Sequence, residues 1–116
     1  MASGTTVAEI RQRKREQRLS RLQAEAKQLI DSHPGGSLWL FGSLARGDWD
    51  AYSDVDMLAV APSPGEADQL ADAVLSQHLA DDVIALCASE WDRRRAASID
   101  PYWQAIGRDA QCLAKG

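Results

Sequence analysis

Two aspartates one residue apart, Asp54 and Asp56, stand at the head of an apolar run, Met57 to Ala61, in a chain of 116 residues. A short apolar run bounded by turn-forming residues reads as a buried strand. Along a strand, residues two apart project from one face, so both carboxylates are expected at a single point. Like charges that close repel unless a cation sits between them. Hard oxygen ligands at this spacing suit Mg²⁺, which combines carboxylates with phosphate oxygens. Eleven residues before Asp54, Gly42-Ser43 lies between a strand-like run, Leu38 to Phe41, and a predicted short helix around Leu44 to Arg46. Such a junction offers backbone N–H groups and a hydroxyl to a phosphate. Ser43 capping the following helix uses the same geometry, so both roles stand together. A solvated strand start is the plain competitor for the aspartate pair; the glycine–serine junction upstream decides for a metal–nucleotide site.

Two-metal phosphoryl or nucleotidyl transfer sets cations ~3.5–4 Å apart, and a third carboxylate helps to hold the ion beside the nucleophile. Asp82 opens the next predicted strand, with Ile84 and Leu86 on its own face and Val83, Ala85 and Cys87 on the other. A neighbouring strand that begins there brings Asp82 beside the pair. Asp81 is expected to point to the opposite side; for Asp82 the competing reading is a helix-to-strand turn, which favours aspartate on its own account. From the residues alone, Arg46 is placed against Asp48 or Asp50. Trp49 and Tyr52, between the two motifs, are expected as exposed loop aromatics, with a nucleotide base as their alternative neighbour.

The remaining sequence bounds the architecture. Lys and Arg number 13 and Asp and Glu 17, a net charge of −4. The balance is uneven: residues 1–47 carry 8 basic and 4 acidic groups, residues 48–116 carry 5 and 13. A basic N-terminal arm beside an acidic body is implied, and an acidic body disfavours broad nucleic acid binding. No apolar stretch approaches 18 residues, so no membrane span is expected. The N-terminus lacks the apolar segment of a secretion signal, which makes the cytoplasm the expected compartment. Cys87 and Cys112 lie far apart in apolar runs and are expected as buried free thiols.

Residues 7 to 31 carry an apolar stripe, Leu19, Leu22, Ala26, Leu29 and Ile30, at helical spacing. The basic run Arg11 to Arg15 interrupts it, so the opening turns are expected to project into solvent. Ser32-His33-Pro34-Gly35-Gly36 ends the helix. Strands are predicted at Ser37 to Phe41, Ser53 to Val60 or Ala61, Asp82 to Ala88, and Gln111 to Ala114. Between the second and third strands, Ser63-Pro64-Gly65-Glu66 reads as a capping box with proline at the first helical position. That helix is expected to bury Ala67, Leu70, Ala71, Val74, Leu75 and Leu79. Ser89 with Asp92 is expected to cap another helix, and Asp100-Pro101 to start one more. Trp39, Trp91 and Trp103 are expected in the core or facing a partner, and Arg93-Arg94-Arg95 on a solvated helix face. The element order points to an α/β fold, a small mixed β-sheet with helices packed on it. Residues 1–35 form an N-terminal helix with a basic arm and 36–116 the core, within a single domain.

Gly42-Ser43-Leu44-Ala45-Arg46-Gly47 followed by Ser53-Asp54-Val55-Asp56-Met57-Leu58 resembles the G-S-x-A-R-G…S-D-x-D signature of nucleotidyltransferases of the DNA polymerase β superfamily. The chain's small size is similar to the minimal nucleotidyltransferase (MNT) group, whose members pair with a HEPN protein as antitoxin and toxin. The resemblance covers roughly residues 36 to 116. It implies the polymerase β-like fold, with Asp54, Asp56 and Asp82 ligating two Mg²⁺ ions and serving catalysis. Gly42 and Ser43 would hold the terminal phosphates of a nucleoside triphosphate, and Arg46 would reach a phosphate or brace the structure. ATP is the implied donor, and the implied acceptor is a hydroxyl, commonly of tyrosine, on the HEPN toxin that AMPylation inactivates. Two other readings stay open: an antitoxin acting by contact alone, and transfer to a small molecule.

Overall fold

A computed structural model of the chain describes residues 6–47 and 54–116. The elements run α1 (Val7–Asp31), β1 (Ser37–Phe41), α2 (Ser43–Arg46), β2 (Asp56–Ala61), α3 (Pro64–Ser76), β3 (Asp82–Cys87), α4 (Ala88–Ala97), α5 (Pro101–Asp109) and β4 (Gln111–Lys115). This is the expected order of helices and strands. Thr6 starts α1 with a reciprocal cap: its hydroxyl accepts from Glu9 N at 3.1 Å, and the Glu9 carboxylate accepts from Thr6 N at 3.2 Å. Two of the first-turn N–H groups that a helix leaves open are thereby satisfied.

The four strands form one mixed sheet in the order β3-β2-β1-β4. β1 runs antiparallel to β2 and to β4, whereas β2 and β3 are parallel. α3 supplies the crossover that the parallel β2–β3 pair needs, and α4 with α5 carries the chain across the sheet from β3 to the far edge strand β4. Each face of the sheet has its own core. On one face Leu22, Ala26, Leu29 and Ile30 of α1 and Leu70, Ala71 and Val74 of α3 pack over Leu38, Leu40, Met57 and Ala59. On the other, Trp91 of α4 and Ile106 of α5 cover Phe41, Leu58 and Val60. The pleat explains the split, because alternate residues of β1 and β2 belong to opposite clusters. The fold is therefore α/β with three layers, and burial of each large apolar side chain contributes about 1.5–3 kcal/mol.

Several expectations are corrected. β2 begins at Asp56, so Asp54 and Val55 precede the strand, and Ser53 lies outside the described residues. The reason is that β1 ends at Phe41, which pairs with Asp56, and Gly42 turns the chain away before it can pair further. Leu75 is 43% exposed; the α3 stripe is Ala67, Leu70, Ala71 and Val74, and Leu79 is buried just past the helix end. Ser63 does cap α3, accepting from Glu66 N, but Glu66 returns to the Ser63 hydroxyl and leaves the backbone N–H. α4 starts directly from β3 at Cys87 with no side-chain cap, which puts Ser89 inside its first turn. Cys87 is half-buried and Cys112 exposed on the edge strand β4, so neither is a buried thiol. The arginine run is only partly solvated: Arg94 stacks over Trp103 at 4.4 Å and Arg95 over Trp39 at 4.8 Å. Among the described residues, no helix is long and apolar enough to cross a membrane.

Candidate active site

The parallel ladder between β2 and β3 places Asp56 opposite Asp82 in register. Asp56 shares a face with Leu58 and Val60, and Asp82 with Ile84 and Leu86, so both carboxylates lie on the side covered by α4 and α5. Asp54 and Asp56 do meet the same space, although not through the pleat of one strand. Both line a cavity of about 800 Å³ together with Asp82, Gly42, Ser43 and Arg46. The opposite wall is α5, which contributes Tyr102, Ala105, Ile106 and Asp109.

The electrostatics of this cavity are those of a site awaiting positive charge. Burial pushes the Asp56 carboxyl above the ordinary carboxylate value, and the charges of Asp82 and then Asp54 push it the same way. The two residues are neighbours across the ladder, and the charge of Asp81 adds a smaller upward push. Two carboxylates this close share a proton or a cation. Among the described residues the lining holds four carboxylates, Asp54, Asp56, Asp82 and Asp109, and one guanidinium, that of Arg46. Among the described residues no three His, Cys, Asp or Glu side chains close into a ready-made ion cage. The donor set is nonetheless all oxygen and partly open, which fits Mg²⁺ sharing its coordination with substrate phosphate rather than a protein-only cage.

Gly42 is the residue that lets this corner close. Its backbone lies at φ +76° and ψ −155°, a region open essentially to glycine alone. A β-carbon there would also collide with Asp56 Oδ2. The first turn of α2 follows at once, where N–H groups have no intrahelical acceptor. The far end of α2 is tied from two sides. Arg15 of α1 donates to Leu44 O at 3.1 and 2.9 Å, and Gln111 of β4 donates to Ala45 O at 2.9 Å. Cationic groups at a helix C-terminus are favourably placed. So although residues 6–14 are exposed as expected, Arg15 is engaged with the body.

Arg46 is paired with Asp109, its Nη1 standing 3.8 Å from Oδ2. The alternatives Asp48 and Asp50, and the loop aromatics Trp49 and Tyr52, lie outside the described residues. Asp81 lines no part of the cavity; its Oδ2 accepts from Val55 N at 2.7 Å. Sequence reasoning placed Asp81 away from the pair but missed Tyr102 and Asp109. Asp100-Pro101 did signal the start of α5, but nothing local indicates that this helix crosses the sheet opposite Asp56.

A mixed sheet with carboxylates gathered at the ends of adjoining strands, beside a glycine–serine turn, defines the class: an α/β fold with an acidic cavity on one face of its sheet. The family follows from comparison. The nucleotidyltransferase domain family model matches residues 19–100, and the chain belongs to that family. The match ends at Asp100, so α5 and β4 lie beyond it even though α5 walls the cavity. A presumptive nucleotidyltransferase from Sulfolobus solfataricus has a similar structure, with 19% identity and a TM-score of 0.51 over 98% of this chain and 93% of that one. A toxin–antitoxin solved with AMP-PNP is similar at 20% identity and a TM-score of 0.45, over 87% of this chain and 73% of that one. No curated protein matches the chain.

Proposed function

We propose that the chain is a Mg²⁺-dependent nucleotidyltransferase that transfers AMP from ATP to a hydroxyl, most simply a tyrosine, of a HEPN-type toxin, and so acts as its antitoxin. The observation that carries the reading is the in-register pairing of Asp56 with Asp82, in one cavity with Asp54 and the Gly42-Ser43 turn. Family membership and the G-S…D-x-D motif support the reaction class, and the antitoxin role rests on the resemblance to the minimal nucleotidyltransferase group. In this reading Asp54, Asp56 and Asp82 hold the metal, Gly42 and Ser43 take the terminal phosphates, and Arg46 lies within reach of the triphosphate. Bound Mg²⁺ offsets charge on the triphosphate and on the departing pyrophosphate. The acceptor oxygen bonds to the α-phosphorus, the bond to the pyrophosphate oxygen breaks, and the acceptor proton passes to a nearby carboxylate or to solvent.

The test is incubation of the purified chain with α-labelled ATP, Mg²⁺ and a HEPN-type partner. Label on the partner is expected, falling at least about a hundredfold in Asp54→Ala and Asp56→Ala because metal positioning and charge stabilisation supply most of the rate. A tight complex that carries no label, and that both substitutions leave intact, would overturn the enzyme reading in favour of neutralisation by contact.

A further inference from the structure

Val55 is the one residue between Asp54 and Asp56, and its backbone is held at both polar groups from a single direction. Val55 N donates to Asp81 Oδ2 at 2.7 Å. Val55 O accepts from Asp81 N at 2.9 Å and from Asp82 N at 3.3 Å. The Val55 side chain is 3% exposed and lies in the core beneath the sheet. With its side chain packed and both backbone groups bonded, the two peptide groups that flank Val55 are each held in one orientation. The ladder with β3 reaches Val55 only at its carbonyl, through Asp82 N; the Val55 N–H is held by the Asp81 side chain instead, because β1 has already turned away at Gly42.

An aspartate at the start of a strand ordinarily satisfies its own backbone a residue or two away. Asp81 instead reaches a residue 26 positions earlier. That bond ties the start of β3 to the residue that separates Asp54 from Asp56.

We propose that Asp81 is a positioning residue: through the Val55 peptide it sets the spacing of the Asp54 and Asp56 carboxylates for a divalent cation. The proposal rests on the reading of Asp54, Asp56 and Asp82 as a divalent-ion site and adds to it the group that orients two of them. Outer groups that orient metal ligands typically contribute tenfold or more to metal affinity.

The experiment is titration of the full chain with Mn²⁺, followed by electron paramagnetic resonance, with folding checked by circular dichroism. Asp81→Asn keeps an oxygen acceptor and loses the charge, whereas Asp81→Glu keeps the charge and displaces the acceptor by a methylene. Asp81→Ala and Asp81→Glu are expected to weaken Mn²⁺ binding about tenfold, and Asp81→Asn to stay within about threefold of the parent. Exchange of the Val55 amide hydrogen should quicken in the first two variants only, a readout that needs no metal and still serves if Asp81→Ala does not fold. Parent-like Mn²⁺ affinity in Asp81→Glu, or loss in Asp81→Asn as deep as in Asp81→Ala, overturns the positioning role alone. Should the parent chain bind no Mn²⁺, or Asp56→Ala bind it as well as the parent, the metal-site reading falls and the proposal falls with it.

Discussion

Gly42 and Asp56 are two residues that meet at one point, and each limits what the other can be. Gly42→Ala combines a strained backbone with a β-carbon driven into Asp56 Oδ2. We expect it to destabilise the fold by about 1–3 kcal/mol, seen as a lower midpoint in urea, and to abolish nucleotide binding by calorimetry. Asp56 makes a prediction of opposite sign. Its carboxyl titrates above the ordinary carboxylate value, so the folded chain keeps that proton to higher pH than the unfolded chain. Stability therefore falls as pH rises through the interval between the two values, and the loss is complete above it. Asp56→Asn removes the term: in EDTA at neutral pH its melting temperature should exceed that of the parent by a few degrees, and the gap should close below the ordinary carboxylate value. Adding Mg²⁺ and ATP should raise the parent's melting temperature and leave the variant unmoved. A parent more stable than Asp56→Asn in EDTA would contradict the crowding of charge described here. At this scale much was legible, since Gly42, Ser43, Asp54, Asp56 and Asp82 are marked by local chemistry. Asp81 was not, because its partner Val55 is distant in sequence and its own position is that of an ordinary turn aspartate.

α5 is the element that converts a sheet edge into a cavity. It starts at Asp100, whose Oδ1 accepts from Tyr102 N at 2.9 Å, with Pro101 at its first position. Ser98 braces the same turn, accepting from Asp100 N and, through its carbonyl, from Gln104 Nε2. Ile106 then anchors the helix in the second core, while Tyr102 and Asp109 face the cavity. Asp100→Ala should cost about 1 kcal/mol through the lost cap and loosen the wall that carries Tyr102 and Asp109. The expected result is a modest fall in the urea midpoint with a clear loss of ATP-analogue affinity by calorimetry; unchanged affinity would show that the wall does not touch the nucleotide. The limits of α1, β1 and α5 agree with their sequence signals because caps, prolines and apolar spacing are local. β2 and α4 deviate where the neighbouring chain decides: β2 has no partner before Asp56, and β3 runs into α4 without a loop.

Across the whole molecule, α1 divides into an exposed basic half and a buried half. Its side chains reach the core from Leu19, which packs against it half-buried, and are buried at Leu22, Ala26, Leu29 and Ile30. Removal of residues 1–14 should then cost less than about 1 kcal/mol, since solvated helical turns contribute little without tertiary packing. Leu22→Ala, at a side chain with no exposed surface, should cost about 2–5 kcal/mol. Chemical denaturation of both variants checks the contrast, and equal losses would mean that the basic half packs more firmly than its exposure shows. From sequence alone came the elements, the α/β class and the three aspartates with their glycine–serine turn, because propensity, periodicity and ligand chemistry act over a few residues. Only the tertiary structure decided that β3 lies parallel to β2 in register at Asp56 and Asp82, that α5 closes over them, and that Asp81 holds Val55. Those contacts join residues far apart in the chain, and their geometry follows from how two separate cores fill against one sheet.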